Sequence, residues 1–162
     1  MNDNTQKENK TYLSIEEIHK EIDLIQSCIN RMSNNSFMLK GWLISLIVVV
    51  IALSPEEING FLIILATLLI TLSFWYLDAF FLRTEKLYRK LYNWTLQERP
   101  KGNNEKLYDL NPHRFDNDVE STIKVMFSKT LFWFYCIPLF IIFFVTLYYL
   151  LPIFKTIICK CP

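Results

Sequence analysis

Thr67, Thr71, Phe74 and Asp78 stand at i, i+4, i+7 and i+11, a spacing that puts them on one face of a helix. Three of the four are polar, and they lie in or at the end of a long apolar run. An ionisable side chain inside such a run normally faces protein or a water-filled path. If copies of the chain assembled around this face, the threonines would line a pore and the Asp78 carboxylate would ring its mouth, where it would attract cations. The competing expectation is plainer. Each threonine can bond the backbone of its own helix, and Asp78, close to Arg83, can mark the end of the run. Enzymatic chemistry finds less support: only His19 and His113 could act as histidine bases, and no phosphate-cradling glycine loop, nucleophile elbow or paired Cys/His ligand spacing is present. The expectation is a protein that is not an enzyme and needs neither cofactor nor metal.

Cations form a second set. Arg83, Lys86, Arg89 and Lys90 follow the apolar run beside Tyr88 and Tyr92, while Lys101, Lys106, His113 and Arg114 lie in a polar stretch further on. Such groups could hold lipid phosphates or an anionic messenger; they equally serve as the positive flank that keeps a loop cytoplasmic. With a formal net charge of +1, the chain lacks the strongly basic balance of a nucleic-acid binder, and no base-specific binding is expected.

The elements that position these residues follow from segregation. The chain has 162 residues, of which 52% are hydrophobic and 20% charged, and the two classes scarcely mix. Apolar blocks occupy residues 37–53, 60–82 and 131–151, each near the roughly 20 residues that span a bilayer. Lys40 interrupts the first, where it can snorkel beside Trp42. The expected architecture is an all-α membrane protein with three transmembrane helices. Residues 1–36 form a cytoplasmic arm, 37–82 a transmembrane hairpin, 83–130 a cytoplasmic helical extension and loop, and 131–162 the third span and a short tail. Cations flank the inner ends, whereas the link between the first two spans carries only Glu56 and Glu57, so the N-terminus is expected inside and the C-terminus outside. The polar first 36 residues contain no signal-peptide pattern.

Local signals sharpen the picture. Ser14 with Glu17 makes a capping box and Leu13 with Ile18 a hydrophobic staple. Ile15, Ile18, Ile22, Ile25, Ile29 and Met32 then repeat as a and d positions, with isoleucine favouring trimers or larger assemblies. The same stripe could instead pack on the protein's own cytoplasmic helices. Ser33 to Ser36 are poor helix formers, which predicts a bend. Pro55, after Ser54, should open a second helix with no breaker before Pro100 and Gly102. Glu85 and Arg89 make an i, i+4 pair on its extension. Residues 100–117 read as loop, Asp116 or Asp118 should cap the next helix, and Pro138 should kink it. Cys28 and Cys136 fall in different environments. Cys159 and Cys161 could share an oxidising one, but C-x-C spacing is tight for a disulfide, leaving a metal-binding tail or a frayed end.

The run FWYLDAFFLRTEKLYRKLY at 74–92 and MFSKTLFWFY at 126–135 resemble blocks in small bacterial membrane proteins. In size and layout the chain is similar to small pore-forming effectors of bacterial antiphage defence systems. The resemblance implies an inner-membrane protein that permeabilises the bilayer as a homo-oligomer, under the control of its cytoplasmic region through a regulatory protein or anionic messenger; it assigns no individual residue. The alternative from another class is a non-conducting anchor, scaffold or immunity protein that recruits a cytoplasmic partner.

Overall fold

The computed structural model describes residues 14–52 and 60–158. Leu13, the link around Pro55, Glu56 and Glu57, and the pair Cys159 and Cys161 lie outside the described residues. Four α-helices carry nearly all of the described chain: α1 (Ile15–Ala52), α2 (Gly60–Glu98), α3 (Thr122–Met126) and α4 (Lys129–Ile158). Two 3-10 segments, Arg99–Lys101 and Pro112–Asp118, lie between α2 and α3, and no strand occurs among the described residues. The chain divides into two compact units: residues 14–31 with 84–119, and residues 32–52, 60–83 and 120–158. Both α1 and α2 contribute to each unit.

In the first unit, the capping box forms as the sequence indicates. Glu17 Oε2 accepts from the Ser14 backbone N–H (2.9 Å) and hydroxyl (3.0 Å), and the Glu17 N–H donates back to Ser14 Oγ (3.2 Å). Ile25, Ile29 and Leu91 make the core, with Tyr88, Tyr92, Trp94, Leu110 and Phe115 packed around them. The buried face of α2 runs through Leu87, Leu91 and Thr95, each four residues after the last, and Arg99 continues it into the 3-10 segment. Gly102 at φ 80° closes the turn after α2 by donating its N–H to the Arg99 carbonyl, so Pro100 and Gly102 do end the helix. The stretch expected as loop holds the two 3-10 segments at its ends. Between them, Asn103 and Asn111 bend the chain by accepting from the N–H groups of Glu105 and His113.

The second unit is built from apolar helix faces. Leu43, Trp75, Ala79, Val125, Leu131 and Tyr135 form its core. Trp75 is the keystone of the packing: its ring stacks on Tyr135 (5.7 Å, 8°), meets Phe127 edge-on (5.5 Å), and its Nε1–H donates to the Met126 carbonyl at 3.0 Å. That bond satisfies a carbonyl at the C-terminal end of α3, where the intrahelical ladder stops.

Two local expectations are corrected. No bend occurs at Ser33 to Ser36, since α1 runs through them; Ser36 is buried and bonded within the unit, and tertiary packing outweighs weak propensity. The cap before α3 is Ser121, whose hydroxyl accepts from the Lys124 N–H, while Asp116 and Asp118 belong to the 3-10 segment.

Two helices contain stretches long and apolar enough to cross a membrane, within 15–50 and 60–101. Only 17% of either apolar window is buried inside the chain, whereas the core helix of a water-soluble protein would be mostly covered. The α4 segment Lys129–Phe144 is apolar but shorter.

Candidate functional site

The most charged interior point of the apolar unit is Asp78. Its side chain is fully buried on α2, and three donors converge on its carboxylate. The Lys40 ammonium of α1 lies 2.6 Å from Oδ2, the Tyr135 hydroxyl of α4 donates to Oδ2 at 3.1 Å, and the Ser36 hydroxyl of α1 donates to Oδ1. The helical period explains the assembly. Ser36 and Lys40 are one turn apart, so they leave α1 on the same side. Lys40 also donates to Ser36 Oγ (3.0 Å) and to the Ser36 carbonyl (3.3 Å), which fixes its position. Tyr135 shares its hydroxyl with the Phe74 carbonyl (3.3 Å).

This group is neutral in sum and closed. Burying two ions costs several kcal/mol each, and mutual attraction returns that only when the remaining hydrogen-bond capacity is filled. Here it is: the carboxylate has a cation and two hydroxyls, and the Lys40 side chain keeps 22% of its surface exposed. The chemistry available is the making and breaking of a charge pair.

The other polar members of the stripe are spent locally. Thr67 donates to the Ile63 carbonyl and Thr71 to the Thr67 carbonyl, both at 2.8 Å; Thr71 is completely buried and Phe74 packs against the core. Within the isoleucine stripe, Ile25 and Ile29 are buried in the first unit, Ile18 and Ile22 are half-buried there, Met32 is half-buried in the second unit, and Ile15 is 73% exposed.

Several of the cationic candidates sit in separate local pairings. The Arg83 Nε donates to the Glu120 carbonyl (3.0 Å), Arg89 pairs with Glu85 (2.7 Å) as its spacing indicates, and Lys101 pairs with Glu98 (2.6 Å). Hydrogen bonds from Lys101 and Asn103 hold the Glu98 carboxyl below its ordinary pKa. His113 lies 3.2 Å from Asp116. Arg114 stacks over Trp94 at 4.1 Å and Phe115 at 5.1 Å; burial lowers its pKa, against the pull of Asp109. Lys86, Lys90 and Lys106 have exposed side chains.

Spacing alone reads Lys40 as a snorkelling anchor and Ser36 as part of a bend, and it does not single out Glu21 or Arg99. A lysine inside one apolar block and an aspartate inside the next were a visible charge match. Glu21, three residues after Ile18 and four before Ile25, likewise signalled a charge on an apolar face. Arg99 is its partner, and also donates to the carbonyls of Asn103, Glu105 and Lys106. Comparison with protein-family models, curated proteins and solved structures finds no match to this chain.

Proposed function

We propose that the chain is a membrane effector of the channel or pore-forming type, assembled from several copies, crossing the bilayer three times with its N-terminus inside, and gated by the unit that contains Glu21 and Arg99. The observation that carries this reading is the buried Lys40–Asp78 pair with its Ser36 and Tyr135 donors. A passive anchor has no use for a charge pair in its apolar unit, because well-packed hydrophobic side chains would be as stable or more so. A gate has one: the pair closes the polar face of α2 in the resting state, and its separation frees a carboxylate and an ammonium toward a water path. Because α1 and α2 each contribute to both units, a change in the polar unit has two continuous helices through which to act. α4 supplies the third span in this reading. Activation would come from a cytoplasmic protein or an anionic messenger.

A second reading, a non-conducting anchor or scaffold, draws on one specific observation: Thr71 and Asp78 are completely buried within a single chain, so the face that carries them is turned toward the chain itself. Purified protein in liposomes loaded with a self-quenching dye separates the two. Release of dye and ion flux at native assembly support the effector; tight liposomes under every condition, with the protein correctly inserted, leave the scaffold.

A further inference from the structure

We infer that α3 is an interfacial anchor whose outer face binds anionic phospholipid headgroups of the inner leaflet; this rests on the membrane-spanning reading above and deepens it. The short helix has two unlike faces. Val125 points into the core and is 1% exposed, whereas Ile123 and Phe127, four residues apart and therefore on one side, are 65% and 60% exposed. Water is a poor partner for Ile123 on the five-residue α3 and for the outer side of Phe127, the residue that caps it and whose ring meets Trp75 edge-on. What covers them is indicated by what surrounds them. α4 begins two residues after Phe127 mid-junction, at Lys129, and runs directly into the apolar segment Lys129–Phe144, so α3 sits where that segment meets the polar chain. Trp133, 67% exposed near the start of α4, is the residue type that collects at the headgroup level.

The charges next to α3 select the lipid. Lys124 on α3 is 70% exposed at its side chain and Lys129 is exposed at the start of α4. Glu120 pairs with Lys124 at 3.0 Å, and Lys129 lies five residues further on. An apolar pair flanked by exposed lysines is the composition of a segment that lies in the interface plane, apolar side chains in the acyl boundary and ammonium groups among the phosphates. Zwitterionic lipid would satisfy only the apolar half.

Fluorophore labelling of the full chain in liposomes tests this. A single cysteine is placed at Ile123→Cys, at Leu69→Cys in the apolar first half of α2, or at Asn117→Cys in the polar unit, with Cys28, Cys136, Cys159 and Cys161 replaced by serine. Each carries an environment-sensitive dye. The vesicles contain equal amounts of phosphatidylglycerol and phosphatidylcholine, with a nitroxide high on the acyl chain of one or the other. Expected are quenching at 69 by both lipids, none at 117, and quenching at 123 that is severalfold stronger from phosphatidylglycerol and becomes equal for the two lipids after Lys124→Gln with Lys129→Gln. Quenching at 69 but not at 123 overturns the inference alone. Absence at 69 overturns the membrane reading itself. Equal quenching at 123 from both lipids overturns the anionic preference, and a dye at 123 shielded from both nitroxide and an aqueous reductant places another protein surface there instead.

Discussion

Arg99 and Glu21, 78 residues apart in the chain, grip one another with two parallel bonds, Nε to Oε2 at 2.6 Å and Nη2 to Oε1 at 2.7 Å, and neither side chain is more than 2% exposed. Around this pair the segment after α2 is pinned. Arg99 binds three of its carbonyls, and Glu21 accepts the Tyr108 N–H at 3.1 Å. Lys106 and Tyr108 hold positive φ of 54° and 58°, a conformation that non-glycine residues adopt where surrounding bonds impose it. Removing one partner strands a buried charge. Glu21→Ala or Arg99→Ala should each destabilise the polar unit by about 3–5 kcal/mol, while Glu21→Leu with Arg99→Met should recover much of that loss. Thermal melting in detergent, together with the rate of proteolysis within residues 102–108, checks it: additive losses in the double variant would show that the pair is not a unit.

Trp75 joins α2 to the junction of α3 and α4 by one hydrogen bond and two ring contacts. Trp75→Phe keeps most of the stacking area and leaves the Met126 carbonyl without its donor, so it should cost about 1 kcal/mol. Trp75→Ala opens a cavity beside Tyr135 and should cost about 3–5 kcal/mol. Denaturant titration of the two variants reads the difference, and equal losses would mean that the hydrogen bond, not the ring, carries the contact.

What could be seen in the sequence and what could not divide along one physical line. The Ser14 and Glu17 box, the Glu85 and Arg89 pair, the helix stop at Pro100 and Gly102 and the apolar stretches are local, set by residues within a few positions of each other. The partners of Asp78 and Glu21 come from helices distant in sequence, and no spacing rule names them. The continuous helix through Ser33 to Ser36 was hidden for the same reason: Ser36 is held by Asp78, 42 residues away. The polar stripe of Thr67, Thr71 and Asp78 was legible as a face, but the direction of that face, toward the chain's own α1 and α4, was not.

Tyr88 should give the protein a distinctive alkaline limb. Burial first, then the neighbouring Cys28, raises its hydroxyl above the ordinary value of 10.0, with Arg31 opposing. The folded chain therefore holds this proton more tightly than the unfolded chain. The corresponding stability is complete below pH 10.0, and is lost as pH rises from there through the raised folded-state value. Tyr88→Phe should flatten this limb, and Cys28→Ser should weaken it in part. Denaturation midpoints measured across the alkaline range decide it; an unchanged slope in the phenylalanine variant would remove Tyr88 as its source.

The last prediction concerns the gate. Asp78→Asn preserves shape and keeps one acceptor oxygen for the Ser36 and Tyr135 hydroxyls, which bond different oxygens in the native chain, while an amide NH2 replaces the other oxygen and the counter-charge of Lys40 is removed. The ammonium has a route out, since its side chain already reaches the surface and its stem can extend toward water. If the pair closes a path, the Asn variant should leak spontaneously, by about 5–150-fold over the native protein for a coupling of 1–3 kcal/mol. Its reversal potential should also shift away from cation preference, because a carboxylate has gone and an ammonium remains. Lys40→Met in the same chain removes the second charge and should lower the leak again, since the unit then closes over a neutral amide. If Asp78 only stabilises a non-conducting bundle, Asp78→Asn lowers the melting temperature and liposomes stay tight. Bilayer recordings of the native, Asn and double variants, made on protein of verified insertion, distinguish these outcomes: a destabilised but silent Asn variant removes the ion pair from any role in permeation.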